Sequence, residues 1–509
     1  MGMDHRHYGQ DGRARTRRAP VLLAVALSVL AAPDDGAAAA KSFVAGVDAI
    51  LARNKQQRVL AGVRIVELPE GGVLYERNAD RAFKPASNMK LVTSAAAIDM
   101  LGMDFVYRTV LARRGDDLLI VGSGDPATGD PRLADEAGKP ITDVFHRWAE
   151  ALRAAGVTEV PGCLLFDDSI FEAERTHPSW KPGELDSWFA APVGGLNFND
   201  NCIDTEVRPS GKPGQPAVVT LTPRTESVRL ENRCISGGKG TPLIRRKPGQ
   251  DVLVLTGRCP KPMKVAPVAV HDPGMLFASA CRMALVASGI KMGRDLRRVR
   301  IRAADGSLPA DWSVVATHTS RMPDVLARCN KRSQNLFAEC LLKTLGCRHG
   351  LAAGHVGGPV GSWTTGRAAI RRFLVKIGLS PHECVIDDGS GLSHDNRLSP
   401  AHLTDVLRYM YGHPQRDAFI TSLAISGQDG TIKRRLTDLP GQVHAKTGYV
   451  SGVRTLSGYV SDRSGKAWVC FAILFNGIRG GTNPYKMMQD DIVRLIARRL
   501  ETRLGQSEP

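Results

Sequence analysis

The sequence predicts an α/β protein of the α+β kind whose main domain is split in the chain by a long β-rich insertion. Two strand-like runs and a helix near the start, three strand-like runs and a helix near the end, and a change of texture between them carry this expectation. Across 109–297, short strand-like runs, Gly/Pro turns and charged loops replace helical periodicity. The expected organisation is residues 1–40 as a leader, 41–108 with 298–509 as one discontinuous domain, and 109–297 as one or two inserted domains.

Taken in order, 42–54 reads as a helix, and 59–67 and 72–77 as strands around a Pro69-Glu70-Gly71 turn. A second helix opens at Pro85-Ala86-Ser87, where proline's missing N–H costs nothing, and stops at Gly102. Its apolar residues Met89, Val92, Ala96 and Ile98 fit a helical period better than an alternating one. Within the insertion, 167–202, 217–222 and 251–255 look β-rich. Further on, Leu336-Phe337-Ala338-Glu339-Cys340-Leu341-Leu342 is helical in pattern, and 443–446, 455–460 and 467–475 read as strands. The last helix, 486–504, sets Met487, Ile492, Leu495 and Ile496 against Arg494, Arg498 and Arg499. Such a face packs on a sheet or makes, at most, peripheral membrane contact.

Three short motifs stand in order on these elements: Ser87-Asn88-Met89-Lys90, Ser333-Gln334-Asn335 and Lys446-Thr447-Gly448. On a helix, Ser87 and Lys90 share one face. A serine needs an adjacent base, and a lysine serves as one when burial or a neighbouring cation such as Lys446 lowers its pKa. Ser333 can accept and donate a proton at once, and the Asn335 amide can hold a peptide group from both sides. Lys446 and Thr447 can bind a carboxylate, and Gly448 lets a substrate backbone lie close to a strand. The backbone N–H groups of Ser87 and Tyr449 are candidates for an oxyanion hole. Each motif alone has a plain structural reading: a helix N-terminus, an N-cap, an exposed lysine before a turn. Other Ser-x-x-Lys patterns at Ser236/Lys239 and Ser288/Lys291 run into glycine turns, whereas Ser333-Gln334-Asn335 and Lys446-Thr447-Gly448 each occur once. The ordered set is the signature of serine acyl-transfer enzymes of the penicillin-recognising kind.

The chain resembles the D-alanyl-D-alanine carboxypeptidase/endopeptidase family of low-molecular-mass penicillin-binding proteins, peptidase family S13, from about Ser42 to about Leu500. Lys84-Pro85-Ala86-Ser87-Asn88-Met89-Lys90, Gly122-Ser123-Gly124-Asp125-Pro126, Asp388-Gly389-Ser390-Gly391-Leu392-Ser393, Asp429-Gly430-Thr431-Ile432-Lys433-Arg434 and Ala445-Lys446-Thr447-Gly448 carry the likeness. The resemblance implies a serine β-lactamase/penicillin-binding-protein-like transpeptidase domain with extra domains inserted between the first two motifs. It implies Ser87 as the acylated residue, Lys90 as base, Ser333 and Asn335 as relay and positioner, and Lys446 and Thr447 as the carboxylate clamp. Gly448 and Tyr449 complete the expected substrate-binding edge. No cofactor or metal is implied. The expected partners are peptidoglycan stem peptides, with β-lactams as covalent inhibitors. The residue after Lys-Thr-Gly is usually Thr in that family and is Tyr449 here, and the position after Ser393, often basic in relatives, is His394. A β-lactamase-like hydrolase and a non-catalytic peptidoglycan-binding protein are the rival readings. The long insertion and the lack of a Glu-x-x-Leu-Asn segment argue against the first, and the full set of reactive side chains against the second.

At 509 residues, 43% of them hydrophobic, the chain is long enough for two to four domains with ordinary cores. The formal charge of +17 favours anionic partners, but no nucleic-acid-binding pattern accompanies it. Arg13, Arg15, Arg17 and Arg18, the apolar run 21–32 and the small residues Ala37 to Ala40 read as a signal peptide cleaved near Ala40, which places the mature protein in the periplasm or cell envelope. Export permits disulfides among the ten cysteines, and Cys234 with Cys259 is the expected pair. Cys340 reads as a buried apolar residue. Cys347, His349 and His355 cluster without a recognised metal-ligand spacing.

Overall fold

The run Trp468–Asn476 carries no charge, and the strand it forms has apolar side chains buried on both faces. Its Val469, Phe471, Ile473 and Phe475 enter one core and its Cys470, Ala472 and Leu474 another. A strand with two buried faces reads as a continuous apolar run rather than an alternation. In this computed structural model, which describes residues 35–56, 58–302, 307–350 and 360–507, that strand is central to a six-stranded antiparallel sheet. The sheet order is Ala424–Ile425, Val443–Val450, Val453–Ser461, Trp468–Asn476, β1 (Leu60–Leu68) and β2 (Val73–Arg77). Val63 stands opposite Ile473, so the first strand of the domain pairs with its last across nearly the whole chain. The sheet is therefore built from segments near both ends of the chain.

Each face of the sheet is covered by helices. On one, Phe43, Val47 and Leu51 of α1 (Asp35–Leu51) and Tyr485, Met488, Ile492 and Ile496 of the C-terminal helix Asn483–Ser507 meet the sheet. On the other lies α2 (Met89–Leu101), whose residues from Met89 to Ile98 are all buried. A helix buried on all sides is a core helix. The helices Met322–Lys331, Asn335–Gly350, Trp363–Lys376 and Pro400–Tyr411 surround it. By contact the chain divides at Ser42 into two units; the described part of the first, residues 35–42, is the opening of α1, and the second runs from Phe43.

The insertion holds more helix than expected. β3 (Val106–Arg114) and β4 (Asp117–Val121) join Leu164–Asp167, Leu296–Arg298 and Ser313–Arg321 in a five-stranded sheet, packed by the helices Asp143–Ala154 and Pro273–Ala287. This sheet reaches from 106 to 321, across both expected borders at 108 and 298. Parallel pairing of β4 with Leu164–Asp167 requires a crossover, which the helix Asp143–Ala154 supplies. Two three-stranded sheets between 202 and 269 make the β-rich part.

Several expectations need correction. The helix expected at 42–54 runs from Asp35 to Leu51, and 167–202 is mostly loop with turns at Pro182–Glu184, Trp188–Ala190 and Asn199–Asn201. Met487, expected on the packing face of the last helix, is 64% exposed. Arg494 of that helix pairs with Asp438 and Asp491. Cys234 and Cys259 are free thiols. The reason is register: Cys259 stands opposite Ser236, and its thiol donates to the Lys261 carbonyl. Cys340 is buried as expected. Residues 1–34 of the expected signal peptide, and His355, lie outside the described residues. Among the described residues no cluster fit for a metal occurs, and no helix is long and apolar enough to cross a membrane.

Ile473 lies fully buried where the central strand faces the C-terminal helix. Ile473→Ala is expected to lower unfolding free energy by about 3 kcal/mol through lost burial and a cavity. Met487→Ala should stay within about 0.5 kcal/mol. Urea titration of both variants measures this, and equal effects would contradict the placement of the core.

Candidate active site

The chain just before α2 is a single tight turn, Ala86–Asn88, that delivers Ser87 to the helix start. Ala86 has φ +46, a conformation that costs free energy for any residue with a Cβ. The surroundings enforce it. Thr455 Oγ1 donates to the Pro85 carbonyl at 2.9 Å, Asn88 Nδ2 donates to the Lys446 carbonyl at 2.6 Å, and Ser457 Oγ donates to Asn88 Oδ1 at 3.2 Å. Two glycines make the close approach possible. A Cβ at Gly448 would collide with Thr455 Oγ1 and stand 3.1 Å from the Ser87 nitrogen, and one at Gly391 (φ +81) would collide with the Ala86 carbonyl.

Lys90, one turn into α2, is wholly buried. Its Nζ lies 3.1 Å from Ser87 Oγ, 2.6 Å from Asn335 Oδ1 and 2.8 Å from the Ser390 carbonyl. Burial pulls its pKa down to about 8, against a smaller upward pull from Cys329, Glu339 and Asp388.

Ser333 sits at φ +61 in the junction between two helices, and its Oγ accepts from Lys446 Nζ at 2.7 Å. Lys446 is also fully buried and gives a second hydrogen bond to the Thr447 carbonyl. Burial first, and then the charge of Lys90, push its pKa well below the usual lysine value. Asn335 is more committed than expected: Oδ1 takes Lys90, and Nδ2 donates to the Phe189 carbonyl at 2.7 Å. A substrate contact through Nδ2 therefore competes with Phe189.

The strand Val443–Val450 is fully paired with Val453–Ser461, but the short Ala424–Ile425 strand covers its other side only at Ala445 and His444. From Lys446 onward the strand offers an edge on which an extended peptide can add. Thr447 Oγ1 hydrogen-bonds Thr431 Oγ1 at 2.9 Å. Tyr449 is 59% exposed, and the Arg454 guanidinium stacks on its ring at 4.5 Å. Ser87, Ser333, Asn335, Thr447 and Tyr449 all line one cleft of about 510 Å³. The eight residues singled out from sequence thus converge.

Sequence reasoning missed four contributors, Asp388, Glu339, Trp188 and Phe189. The loop 388–396 is organised by Asp388, which accepts from Trp180 Nε1, the Gly391 and Ser393 amides and Asn396 Nδ2. Glu339, read only as part of a helical run, anchors the same loop. Trp188 and Phe189 of the insertion line the cleft, and nothing in their local pattern marked them. His394 also lines it, with Nδ1 3.4 Å from Lys84 Nζ. The segment around Asp388 was recognisable as a motif, but no residue type in it announced a role.

Comparison with known proteins gives a consistent result. The D-alanyl-D-alanine carboxypeptidase of Actinomadura sp. (strain R39) is 31% identical over 95% of this chain and 91% of its own length. D-alanyl-D-alanine carboxypeptidase DacB of Haemophilus influenzae is 26% identical over 83% of this chain and 86% of its own. The crystal structure of penicillin binding protein 4 (dacB) from Haemophilus influenzae superposes with a TM-score of 0.71 at 22% identity, covering 89% of this chain and 99% of that one, and so shares its fold. The family model described as the D-Ala-D-Ala carboxypeptidase 3 (S13) family matches residues 43–499, and the chain belongs to that family.

Proposed function

We propose that the protein is an exported serine D,D-carboxypeptidase, with D,D-endopeptidase activity, acting on D-Ala-D-X bonds of peptidoglycan stem peptides. The observation that carries this reading is the buried Lys90 amine, its pKa lowered to about 8, within hydrogen-bond distance of Ser87 Oγ. A neutral Nζ takes the Oγ proton as Oγ attacks the carbonyl carbon of the scissile bond. The developing oxyanion is received by the Ser87 and Tyr449 amides. The C–N bond breaks, the leaving amine takes a proton through Ser333, and water then hydrolyses the acyl-enzyme. Lys446 and Thr447 receive the carboxylate of the leaving residue. That carboxylate restores the charge which burial alone disfavours on Lys446. A terminal D-Ala as leaving group makes the reaction carboxypeptidase; a cross-linking D-centre makes it endopeptidase. The catalytic domain is read as 41–108 with 298–509, and the five-stranded sheet between Val106 and Arg321 spans its junction with the inserted 109–297. Family membership and the relatives named D-alanyl-D-alanine carboxypeptidase support the substrate class.

β-Lactams are expected to acylate the same serine. The carboxylates nearest the base, Glu339 and Asp388, are each held by several N–H donors. That arrangement supports a slowly deacylating penicillin-binding enzyme over a lactamase. Benzylpenicillin should give a one-to-one covalent adduct on Ser87, absent in Ser87→Ala. Intact mass and peptide mapping test this, and an adduct on Ser236 or Ser288 would refute the assignment.

The acylation rate should rise about tenfold per pH unit below about 8 and level off above it, because the ammonium form cannot accept the serine proton. Lys90→Arg keeps the charge but cannot deprotonate, so its loss should approach that of Lys90→Ala. An Arg variant with most of the rate would mean that Lys90 acts only through its charge.

Tyr449 should contribute mainly through its N–H. Tyr449→Thr is expected to change kcat/KM on a D-Ala-D-Ala peptide by less than about tenfold, or roughly 1.4 kcal/mol. A collapse of kcat in a folded variant would assign the phenol a chemical role.

A further inference from the structure

We infer that Glu339 is a positioning residue for the base: its carboxylate grips the loop at 388–391 so that the Ser390 carbonyl meets Lys90, and its charge biases the protonation of that amine. This inference rests on the reading of Lys90 as the base for acylation at Ser87.

Glu339 lies one turn beyond Asn335 on the same helix, so both face α2. Its neighbours Phe337, Ala338, Cys340, Leu341 and Leu342 are all fully buried, and so is Glu339 itself. A carboxylate in such a run is costly unless strong hydrogen bonds compensate it. Three do. Oε1 accepts from the Ser390 amide at 2.7 Å, and Oε2 accepts from the Gly389 amide at 3.0 Å and from Trp363 Nε1 at 2.9 Å. The peptide unit between Gly389 and Ser390 is thus held at both ends, because the Gly389 carbonyl accepts from Thr93 Oγ1 of α2 at 2.7 Å. The next carbonyl, that of Ser390, receives Lys90 Nζ. Without that grip, one of the amine's three partners is free to swing away.

The charged and titratable groups around this pair come from several elements. Lys90 faces Lys446 of the edge strand, Cys329 of the helix Met322–Lys331, Glu339 and Asp388. Glu339 faces Asp388, Lys90, Cys329, and Cys340 and Lys343 of its own helix. Lys343 is engaged elsewhere: it pairs with Glu172 at 3.1 Å, donates to the Glu174 carbonyl and lies over the Trp363 ring. Burial and then Asp388 raise the Glu339 carboxyl to about 7. It is therefore mostly ionised near pH 8, where Lys90 gives up its proton, and about half protonated near pH 7; the negative charge favours the ammonium.

The test follows benzylpenicillin acylation of the full chain against pH, with the number of reactive sites set by the adduct amplitude. Glu339→Gln removes the charge and presents an N–H₂ to an N–H donor. Its acid limb should shift to lower pH by about half a unit or more, with the high-pH plateau at least about tenfold lower. A folded Glu339→Gln protein with its limb at the wild-type position overturns the inference, whatever its plateau. If that variant does not fold, Glu339→Asp decides, since it keeps the charge and loses reach. A wild-type limb with a plateau at least about tenfold lower at full adduct amplitude supports the inference, and a plateau within about twofold of wild type overturns it. A wild-type protein that forms no adduct on Ser87 would instead refute the underlying reading.

Discussion

An ammonium buried without a directly bonded carboxylate is the constraint around which this structure is arranged. Lys90 has three donors and three partners, and the partners come from three distant parts of the chain: Ser87, Asn335 and the Ser390 carbonyl. None of them carries a formal charge. The amine is thereby hydrogen-bonded well enough to be buried, yet not stabilised enough as a cation to keep its proton firmly. A carboxylate in direct contact would satisfy the burial cost and remove the basicity. The nearest acidic groups stand one step back, Glu339 behind the loop at 388–391 and Asp388 within it, each engaged by loop amides.

The same constraint explains the unusual backbone at the centre. For Lys90 to reach Ser87 while Lys446 reaches Ser333, the serine turn, the Ser-x-Asn turn and the edge strand must crowd one another. Ala86 and Ser333 accept left-handed conformations to allow it, and Gly391 and Gly448 omit side chains that would collide. The strain of two non-glycine residues is held by hydrogen bonds into the sheet and by burial on α2, not by the local sequence.

Much of the site was legible because its reactive groups are chemically rare combinations. Ser87 and Lys90 share a helix face at fixed spacing, and Lys446-Thr447-Gly448 lies in an alternating strand, so residue type and local period located both. The sheet was legible at its ends: 59–67, 72–77 and 467–475 fall within a residue or so of the observed strands. What the sequence hid was long-range. Glu339 looks like any charged residue in a helix until the loop at 388–391 is folded against it. Phe189 contributes a carbonyl, which every residue possesses. The stretch 167–202 was misread because its apolar residues pack into the core around α2 and follow no strand period. Cys234 and Cys259 share a small core, but pairing depends on register, which composition does not encode.

These contacts change how the insertion should be regarded. Phe189 fixes the Asn335 amide, Trp180 donates to Asp388, and Asp200 accepts from Gln334, the central residue of the Ser-x-Asn motif, at 2.7 Å. Arg328 ties Asp200 to Asp130 in the same network. Three separate points of the machinery therefore lean on residues between 180 and 200. Severing the Phe189 contact would leave Asn335 Nδ2 without its protein partner, which costs more than the bond itself contributes. A segment inserted between the first two motifs has become part of what holds them in register. The reactive groups therefore depend on a carbonyl and side chains from outside the six-stranded sheet.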